Sequence, residues 1–214
     1  GIGFDLSSGP AQLLECEATA NRDGIRLGGD ATVRNAVVYN NTQRGIVCDA
    51  PTSGSARQWI VNGTIAKSGL YNVEIAQNAQ VSMQNVIAVG AENASVLFLG
   101  GIDANAFDHV ILHSFGDLQG VGAIGQGQSV PGSSSAFDAS QLLVVADPSV
   151  LFRNLAAGDL ELSAGSPARG YGQPVGTPPI DHKRRPRAPG DPVDGGAFMY
   201  VDRNNAARDW TLYP

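Results

Sequence analysis

The sequence predicts an all-β protein, a parallel β-helix in which short strands stack coil upon coil, from three observations. The chain contains 27 glycines, and its apolar runs are short and separated by Gly, Asn, Asp and Ser, unlike the spacing of long amphipathic helices. Five segments between residues 13 and 125 repeat one order: a polar anchor, a strand, a polar turn and a second strand. Apolar residues recur at equivalent positions of these segments, as the stacked coils of a solenoid require.

The anchors define the alignment of the segments. They are five polar residues separated by 20, 27, 23 and 23 residues: Glu15, Asn35, Asn62, Asn85 and Asp108. A short strand precedes each anchor, and its apolar residue lies two positions earlier: Leu13, Val33, Ile60, Met83 and Ala106. We expect the Asn side chains to stack at a turn and to hydrogen-bond to one another along the axis.

Two further strands of each coil alternate with a period of two, which places every second side chain in the core. In the strand after the anchor, the predicted inward residues lie one and three positions later: Cys16, Ala36, Gly63, Val86 and His109, then Ala18, Val38, Ile65, Ala88 and Ile111. In the second strand they form two more columns: Ile25, Ile46, Val73, Val96 and Val121, then Leu27, Cys48, Ile75, Phe98 and Ala123. A β-sandwich with Asn residues at its turns is the alternative fold.

The cysteines and the first residues are interpreted from the same columns. Cys16 and Cys48 fall in different columns, which predicts two buried thiols in preference to a disulfide. The opening GIGF matches GIRL at 24–27, so Ile2 and Phe4 are predicted to point inward and the chain to start within a coil. Since a solenoid end needs a cap, we expect a fragment of a longer protein, or else an end covered by another chain.

Composition and charge exclude several functions. A net charge of −6 with only two lysines disfavours nucleic-acid binding, because phosphate contacts need clustered Lys and Arg. No apolar run approaches the roughly 18 residues of a membrane span. The carboxylates are scattered along the chain, so no cofactor is evident and Ca²⁺ stays an option without a clear acidic cluster to bind it.

The C-terminal part carries a distinctive ending. Its elements are Asp147-Pro148, Gly158-Asp159, Leu162, Gly165-Ser166-Pro167-Ala168, Asp181, Asp194 and Gly196-Ala197-Phe198. This ending resembles that of bacterial right-handed parallel β-helix proteins of the pectate-lyase-like, choice-of-anchor type. It departs from them at Arg169-Gly170, where Ile-Asp is usual, and at Tyr200, where an acid is usual. Together with the repeat, the resemblance predicts a right-handed β-helix of about seven coils over residues 1–172 and an irregular capping tail at 173–214.

The resemblance implies a function outside the cell. Such proteins commonly bind or cleave polysaccharides on the outer face of a sheet, which implies a secreted or cell-surface location in bacteria. The basic run at residues 181–187, DHKRRPR, is interpreted as solvated or as pairing within the tail, and less favourably as a site for an anionic sugar.

Candidate catalytic residues follow from the lyases of this fold, which use Lys or Arg as the base, often with Ca²⁺. Lys67 and His113 both lie five residues after an anchor, and Arg44 lies near a turn. At about 4.8 Å per coil, Lys67 and His113 would share a face about 10 Å apart. The alternative interpretation makes Lys67 a solvated turn residue and His113 an ordinary surface residue.

The strand after the anchor is apolar on both faces. Its predicted outward residues are Val37, Tyr39, Ile87, Val89, Val110 and Leu112. A solvent-facing sheet tolerates this poorly, so we expect either the C-terminal tail or the neighbouring subunits of a homo-oligomer, such as a trimer, to cover it. Three functions stay open: a polysaccharide lyase or glycoside hydrolase, a non-catalytic glycan-binding or adhesin module, and a structural or assembly module that oligomerises through this face.

Overall fold

The computed structural model describes residues 1–51, 56–100, 105–113 and 141–202 and shows a parallel β-solenoid with three sheets along its length. Sheet A contains β1 (Ile2–Leu6), β4 (Asp23–Leu27), β7 (Arg44–Cys48), β10 (Tyr71–Ile75) and β13 (Ala94–Phe98). Sheet B contains β2 (Ala11–Leu14), β5 (Ala31–Arg34), β8 (Gln58–Val61), β11 (Val81–Gln84) and β14 (Ala106–Asp108). Sheet C contains β3 (Glu17–Thr19), β6 (Val37–Tyr39), β9 (Thr64–Ala66), β12 (Ile87–Val89), β15 (Val110–His113) and β16 (Leu142–Val145).

The chain visits the sheets in the order B, C, A, and each strand pairs in parallel with the equivalent strand of the next coil. This confirms the predicted all-β parallel β-helix fold and excludes the β-sandwich. The number of coils is smaller than the predicted seven. The described residues form four complete three-strand coils, from β2 to β13, with β1 before them and β14, β15 and β16 after them.

The core consists of apolar side chains stacked in columns, as predicted. In sheet A, Ile25 aligns with Ile46 and Ile46 aligns with Val73, and all three are fully buried. Sheet B contributes the aligned column of Leu13, Val33, Ile60 and Met83. Cys16 and Cys48 are both buried and free, which confirms the two thiols, and burial raises the pKa of Cys16 to about 11. Because neighbouring coils bury one another's apolar area, no coil is expected to be stable alone.

The last coil is shifted by one residue from the predicted alignment. Met83 aligns with Phe107 and not with Ala106, and Phe107 is buried while Ala106 is exposed. The larger apolar side chain fills the core position because its burial removes more apolar area from water. The corner position that the repeat assigned to Asp108 therefore belongs to His109.

This shift reverses the faces of β15. A slip of one residue moves every side chain of a strand to its opposite face. Val110 and Leu112, predicted to point outward, lie in the core, whereas Ile111 lies on the outer face. The predicted core positions at Val121 and Ala123 lie outside the described residues.

The first strand also differs from the predicted register. Ile2 aligns with Asp23, and Phe4 aligns with Ile25. Phe4 and Leu6 therefore contact the core, which confirms the inward prediction for Phe4. Ile2 is half-buried and lies on the same face of the strand, because a shift of two residues does not exchange the faces. The true equivalent of GIRL at 24–27 is GFDL at 3–6, two residues later than predicted.

The corner between sheets B and C is formed by one residue of each coil in the left-handed conformation, with φ between 50° and 53°: Glu15, Asn35, Asn62, Asn85 and His109. Asn adopts this conformation more readily than most residues. The expected ladder of Asn side chains is reduced to a single contact of 3.5 Å, from Nδ2 of Asn85 to Oδ1 of Asn62.

The outer face of sheet C is covered by residues 147–202, named here the covering segment. It includes a 3-10 helix, Pro148–Leu151, and an antiparallel hairpin of β17 (Phe152–Asn154) and β18 (Asp159–Leu162). Its apolar side chains form a second core with those of sheet C: Leu151, Phe152, Leu160, Leu162, Ala168, Ala197 and Phe198 with Val37, Ile87, Val89 and Ile111. The predicted apolar outer face is thus covered by the C-terminal part of the same chain.

The covering segment is longer than the predicted tail, since the parallel strands end at Val145 and not near residue 172. Oligomerisation through sheet C stays a prediction. Five of the six residues proposed for it are buried inside the chain, Val37, Ile87 and Val89 under the covering segment and Val110 and Leu112 in the core. The sixth, Tyr39, is partly buried against the covering segment.

Corner asparagines fasten the covering segment to the solenoid. Nδ2 of Asn85 donates to the Gln173 carbonyl at 2.8 Å, and Oδ1 of Asn85 accepts from the Gln173 N–H at 2.8 Å. Nδ2 of Asn35 donates to the Ile180 carbonyl at 2.8 Å. Because both side chains are buried, these hydrogen bonds satisfy amides that would otherwise destabilise the fold.

Glu161 is a buried carboxylate of β18 that forms ion pairs with three cations. It pairs with Arg153, with Lys183 at 2.5 Å and with Arg185 at 3.4 Å. Burial acts to raise the pKa of Glu161, but the hydrogen bond from Lys183 and the charges of Arg185 and Arg153 outweigh it, so the pKa lies below its ordinary value of 4.5. Two of these cations belong to the basic run at 181–187, which confirms that the run pairs within the C-terminal part.

Glu161→Gln should lower the free energy of unfolding by about 3 kcal/mol at pH 7, because three cations lose their buried carboxylate partner. A depressed folded-state pKa stabilises the fold above the ordinary value of 4.5, and this stabilisation is lost as the pH falls through the folded-state pKa. The difference between wild type and variant should therefore shrink below pH 4.5 in urea unfolding at several pH values.

Glu92→Gln is the matched control, because Glu92 is exposed and its substitution should change stability by less than about 0.5 kcal/mol. A difference between wild type and Glu161→Gln that stays constant into the acid range would contradict the assigned role of Glu161.

Candidate functional site

Arg44 begins β7 in sheet A, and two carboxylates neutralise it. Its Nε and Nη2 donate to Asp23 at 2.7 and 3.0 Å, and its Nη1 donates to Glu74 at 2.7 Å. Asp23 is only 2% exposed. The hydrogen bond to Asp23, together with that to Glu74, raises the pKa of Arg44 against the effect of burial. An arginine held protonated in this way is a poor general base, so the contacts of Arg44 indicate a structural role.

Lys67 lies directly after β9 at a second left-handed corner, with φ of 54°. Its Nζ lies 5.7 Å from the centre of the Tyr39 ring. The Tyr39 hydroxyl donates to the Leu155 carbonyl at 3.0 Å, so this corner adjoins the hairpin of the covering segment. Lys67 is therefore a corner residue between sheets C and A, as the alternative interpretation from the sequence has it.

His113 does not share a column with Lys67. It ends β15 and aligns with Val145. Since Leu112 points inward, His113 lies on the outer face of sheet C, where it is 8% exposed. Its Nε2 lies 3.1 Å from the Ala146 carbonyl oxygen, and burial lowers the pKa of His113. The predicted shared face is wrong because the last coil is shifted by one residue.

The three predicted residues do not form one site. Arg44 lies in sheet A, Lys67 lies at a corner and His113 lies beside the covering segment. Across residues 1–51, 56–100, 105–113 and 141–202, no three His, Cys, Asp or Glu side chains come close enough to hold a metal ion. In the same ranges no helix has the length and apolar character needed to cross a membrane.

Sheet B presents a different surface, because one row of its outer side chains is not covered by the described residues of the C-terminal part, 141–202. The row consists of aligned residues from successive coils: Gln12, Thr32, Trp59, Ser82 and Ala106. Trp59 stands at its centre and is 43% exposed. Its neighbours Thr32 and Ser82 are much smaller than an indole ring, so Trp59 keeps a large part of its ring in contact with water. Ser82 itself is buried, and its hydroxyl accepts a hydrogen bond from Nη1 of Arg57 at 2.8 Å.

A second row of sheet B lies beside the covering segment. The Gln84 side chain donates to the Val175 carbonyl, and Nη1 of Arg34 donates to the Gly176 carbonyl at 2.9 Å. Residues 173–180 therefore run along the ends of the sheet B strands. We name the resulting depression the sheet B groove: its floor is the row centred on Trp59, and its wall is residues 173–180.

The wall and the last residues of β2 and β5 form a cleft of about 470 Å³ near the end of the groove. It is lined by Leu14, Glu15, Arg34, Asn35 and residues 176–180. Leu14 is 56% exposed, although it is apolar. From the spacing of strands and residues, the Cα atoms of Leu14 and Trp59 are about 12 Å apart. The cleft and the indole ring are thus within reach of one extended ligand.

Sequence reasoning missed Trp59, because the search for columns rewards side chains that repeat from coil to coil. Trp59 is the one aromatic residue of its row among the described strands. The available signal was its position one residue before the predicted inward residue Ile60, which places it on the outer face. A tryptophan predicted to face outward is unusual, since most of its area is normally buried.

No protein-family model matches the chain, and no curated protein or solved structure matches it at a significant level. The sheet B groove is therefore a candidate site on the strength of its own geometry.

Arg44→Gln should lower the free energy of unfolding by about 2 kcal/mol, because the buried carboxylate of Asp23 then keeps only its ion pair with the more exposed Arg22. Lys67→Gln should change it by less than about 1 kcal/mol, because a partly exposed cation beside an aromatic ring contributes little. Thermal and urea unfolding of both variants would measure this. Equal, small effects for the two substitutions would contradict the structural role of Arg44.

Proposed function

We propose that this chain is a polysaccharide-binding β-solenoid, which holds an extended glycan in the sheet B groove without cleaving it. The observation that carries the proposal is the exposed Trp59 at the centre of a row of small and polar side chains. The C–H groups on one face of a pyranose ring pack favourably on the electron-rich face of an indole. Hydroxyl and amide side chains beside it can exchange hydrogen bonds with sugar hydroxyls.

The shape of the groove supports an extended ligand. Sheet B places one residue of the open row in every coil, about 4.8 Å from the next, in a straight line along the solenoid. The floor is built on paired strands and the wall is fixed by Asn85 and Arg34, so both are preorganised and little conformational entropy is lost on binding. A linear polymer fits such a line better than a compact ligand does.

The positions of the three candidate catalytic residues favour a binding function over a catalytic one. Arg44 is held by two carboxylates, and Lys67 and His113 lie at different positions of the surface. A lyase or hydrolase needs its acid and base within hydrogen-bond reach of one bond of the substrate. The resemblance of the C-terminal ending to pectate-lyase-like β-helix proteins supports a polysaccharide ligand and a secreted or cell-surface location, and we keep both as part of the proposal.

The proposal is tested with a panel of neutral and acidic polysaccharides, by affinity electrophoresis and titration calorimetry. We expect one class to bind and Trp59→Ala to weaken that binding at least about tenfold, or about 1.4 kcal/mol. Leu99→Ala is the matched control, because Leu99 is similarly exposed but lies beyond β13 of sheet A, away from the groove. It should leave the affinity unchanged.

Two results would overturn the proposal. One is a panel without any binding, and the other is binding that Trp59→Ala does not affect. Release of unsaturated or reducing sugar ends on incubation would show that the groove belongs to a lyase or a hydrolase instead.

A further inference from the structure

The cleft at the end of the sheet B groove combines three features: an apolar wall, a carboxylate and a guanidinium. One wall is apolar and includes Leu14, Pro178 and Ile180. A carboxylate, Glu15, and a guanidinium, Arg34, lie at the same cleft. The opposite charges stand beside an apolar surface, so the cleft offers a hydrogen-bond acceptor, a donor and a dry patch together.

Both charged groups keep capacity to bind a ligand. Oε2 of Glu15 accepts from Nε of Arg184 at 2.9 Å, and Oε1 has no partner among the described residues. Nη1 of Arg34 donates to the Gly176 carbonyl at 2.9 Å, and in the described part of the chain its Nε and Nη2 have no acceptor. One carboxylate oxygen and four of the five N–H groups therefore remain for an incoming molecule.

We propose that this cleft receives the acetamido group of an N-acetylated sugar whose chain continues over Trp59. The amide N–H donates to Glu15, the amide carbonyl accepts from Arg34, and the methyl group packs on Leu14 and the prolines of the wall. This inference rests on the proposed function, since it names the class of glycan that the sheet B groove selects.

Other sugar substituents interact favourably with only some of the groups that line the cleft. A uronic acid carboxylate would pair with Arg34 but would be repelled by Glu15, and a free amine would pair with Glu15 but would be repelled by Arg34. A hydroxyl group could hydrogen-bond to either residue but would leave the apolar wall in contact with water. The acetamido group presents donor, acceptor and methyl at once.

Three hexasaccharides that differ only at the second carbon of each sugar test this choice: cellohexaose with hydroxyl, chitosan hexamer with amine and chitohexaose with acetamido groups. We expect calorimetry at neutral pH to show chitohexaose binding at least about tenfold more tightly than the other two. Equal binding of the three, tighter binding of cellohexaose or the amine hexamer, or no binding of any would overturn the inference.

Two variants distinguish the contribution of the cleft to ligand preference from that of the rest of the sheet B groove. Arg34→Met keeps the aliphatic stem but removes the donors, so it should reduce the preference for chitohexaose over cellohexaose to less than about threefold. The ratio of the two affinities is the readout, because any loosening of the wall weakens both ligands alike. Gln84→Met is the matched control: it removes a comparable hydrogen bond to the wall, at Val175, but does not line the cleft. It should keep the full preference, and an equal loss in both variants would overturn the assignment.

Failure of this inference and failure of the proposed function give different results. Trp59→Ala should weaken chitohexaose and cellohexaose by the same factor, because the indole contacts the ring and not its substituent. If Trp59→Ala weakens a panel polysaccharide and the hexamers show no acetamido preference, the groove binds glycans and only the assignment of the cleft falls.

Discussion

The whole fold depends on one constraint, the stacking of equivalent strands and side chains from successive coils. Each strand pairs with its equivalent in the next coil, so each buried side chain lies over its counterpart, as Ile25, Ile46 and Val73 do. The corner residue sets this register, because one left-handed residue per coil turns the chain from sheet B to sheet C. A slip of a single residue would exchange the core and the outer face of the following strand. A change in backbone conformation at a corner residue would therefore remove the buried side chains of the following strand from the core. The corners consequently tolerate little variation in backbone conformation.

The same constraint explains why the solenoid needs its C-terminal part and why a groove exists beside it. Sheet C is apolar on both faces, so its outer face must be covered, and residues 147–202 cover it with a second core. The corner amides of Asn35 and Asn85 hold this segment where it leaves sheet C and passes along sheet B. The stretch that fastens the cover is thus also the wall of the sheet B groove. The sheet B groove is therefore complete only when the covering segment is in place.

Much of this architecture could be predicted from the sequence, because columns of Ile, Val and Leu at a period of 20 to 27 residues leave few other folds. The register was harder to predict at both ends. Asp108 resembles the Asn anchors more than His109 does, but packing of Phe107 decides the alignment, and packing is not a property of one residue. The candidate site was predicted least well. Lys67, His113 and Arg44 were chosen by residue type, whereas their roles follow from partners such as Asp23 that are distant in sequence and adjacent only after the chain has coiled.

A repetitive fold makes its exceptions informative. Inward positions carry similar apolar residues in every coil, because each coil packs against its neighbours in the same way. Outward positions in contact with water need only side chains that prevent aggregation, and small or polar side chains are sufficient for that. Gln12 and Thr32 follow that rule in the open row of sheet B, and Trp59 breaks it. The exposed Leu14 breaks it again in the next row, beside the cleft. Neither side chain is buried in the core of the solenoid, and our proposal accounts for both by a ligand that lies along the axis that the stacked coils define.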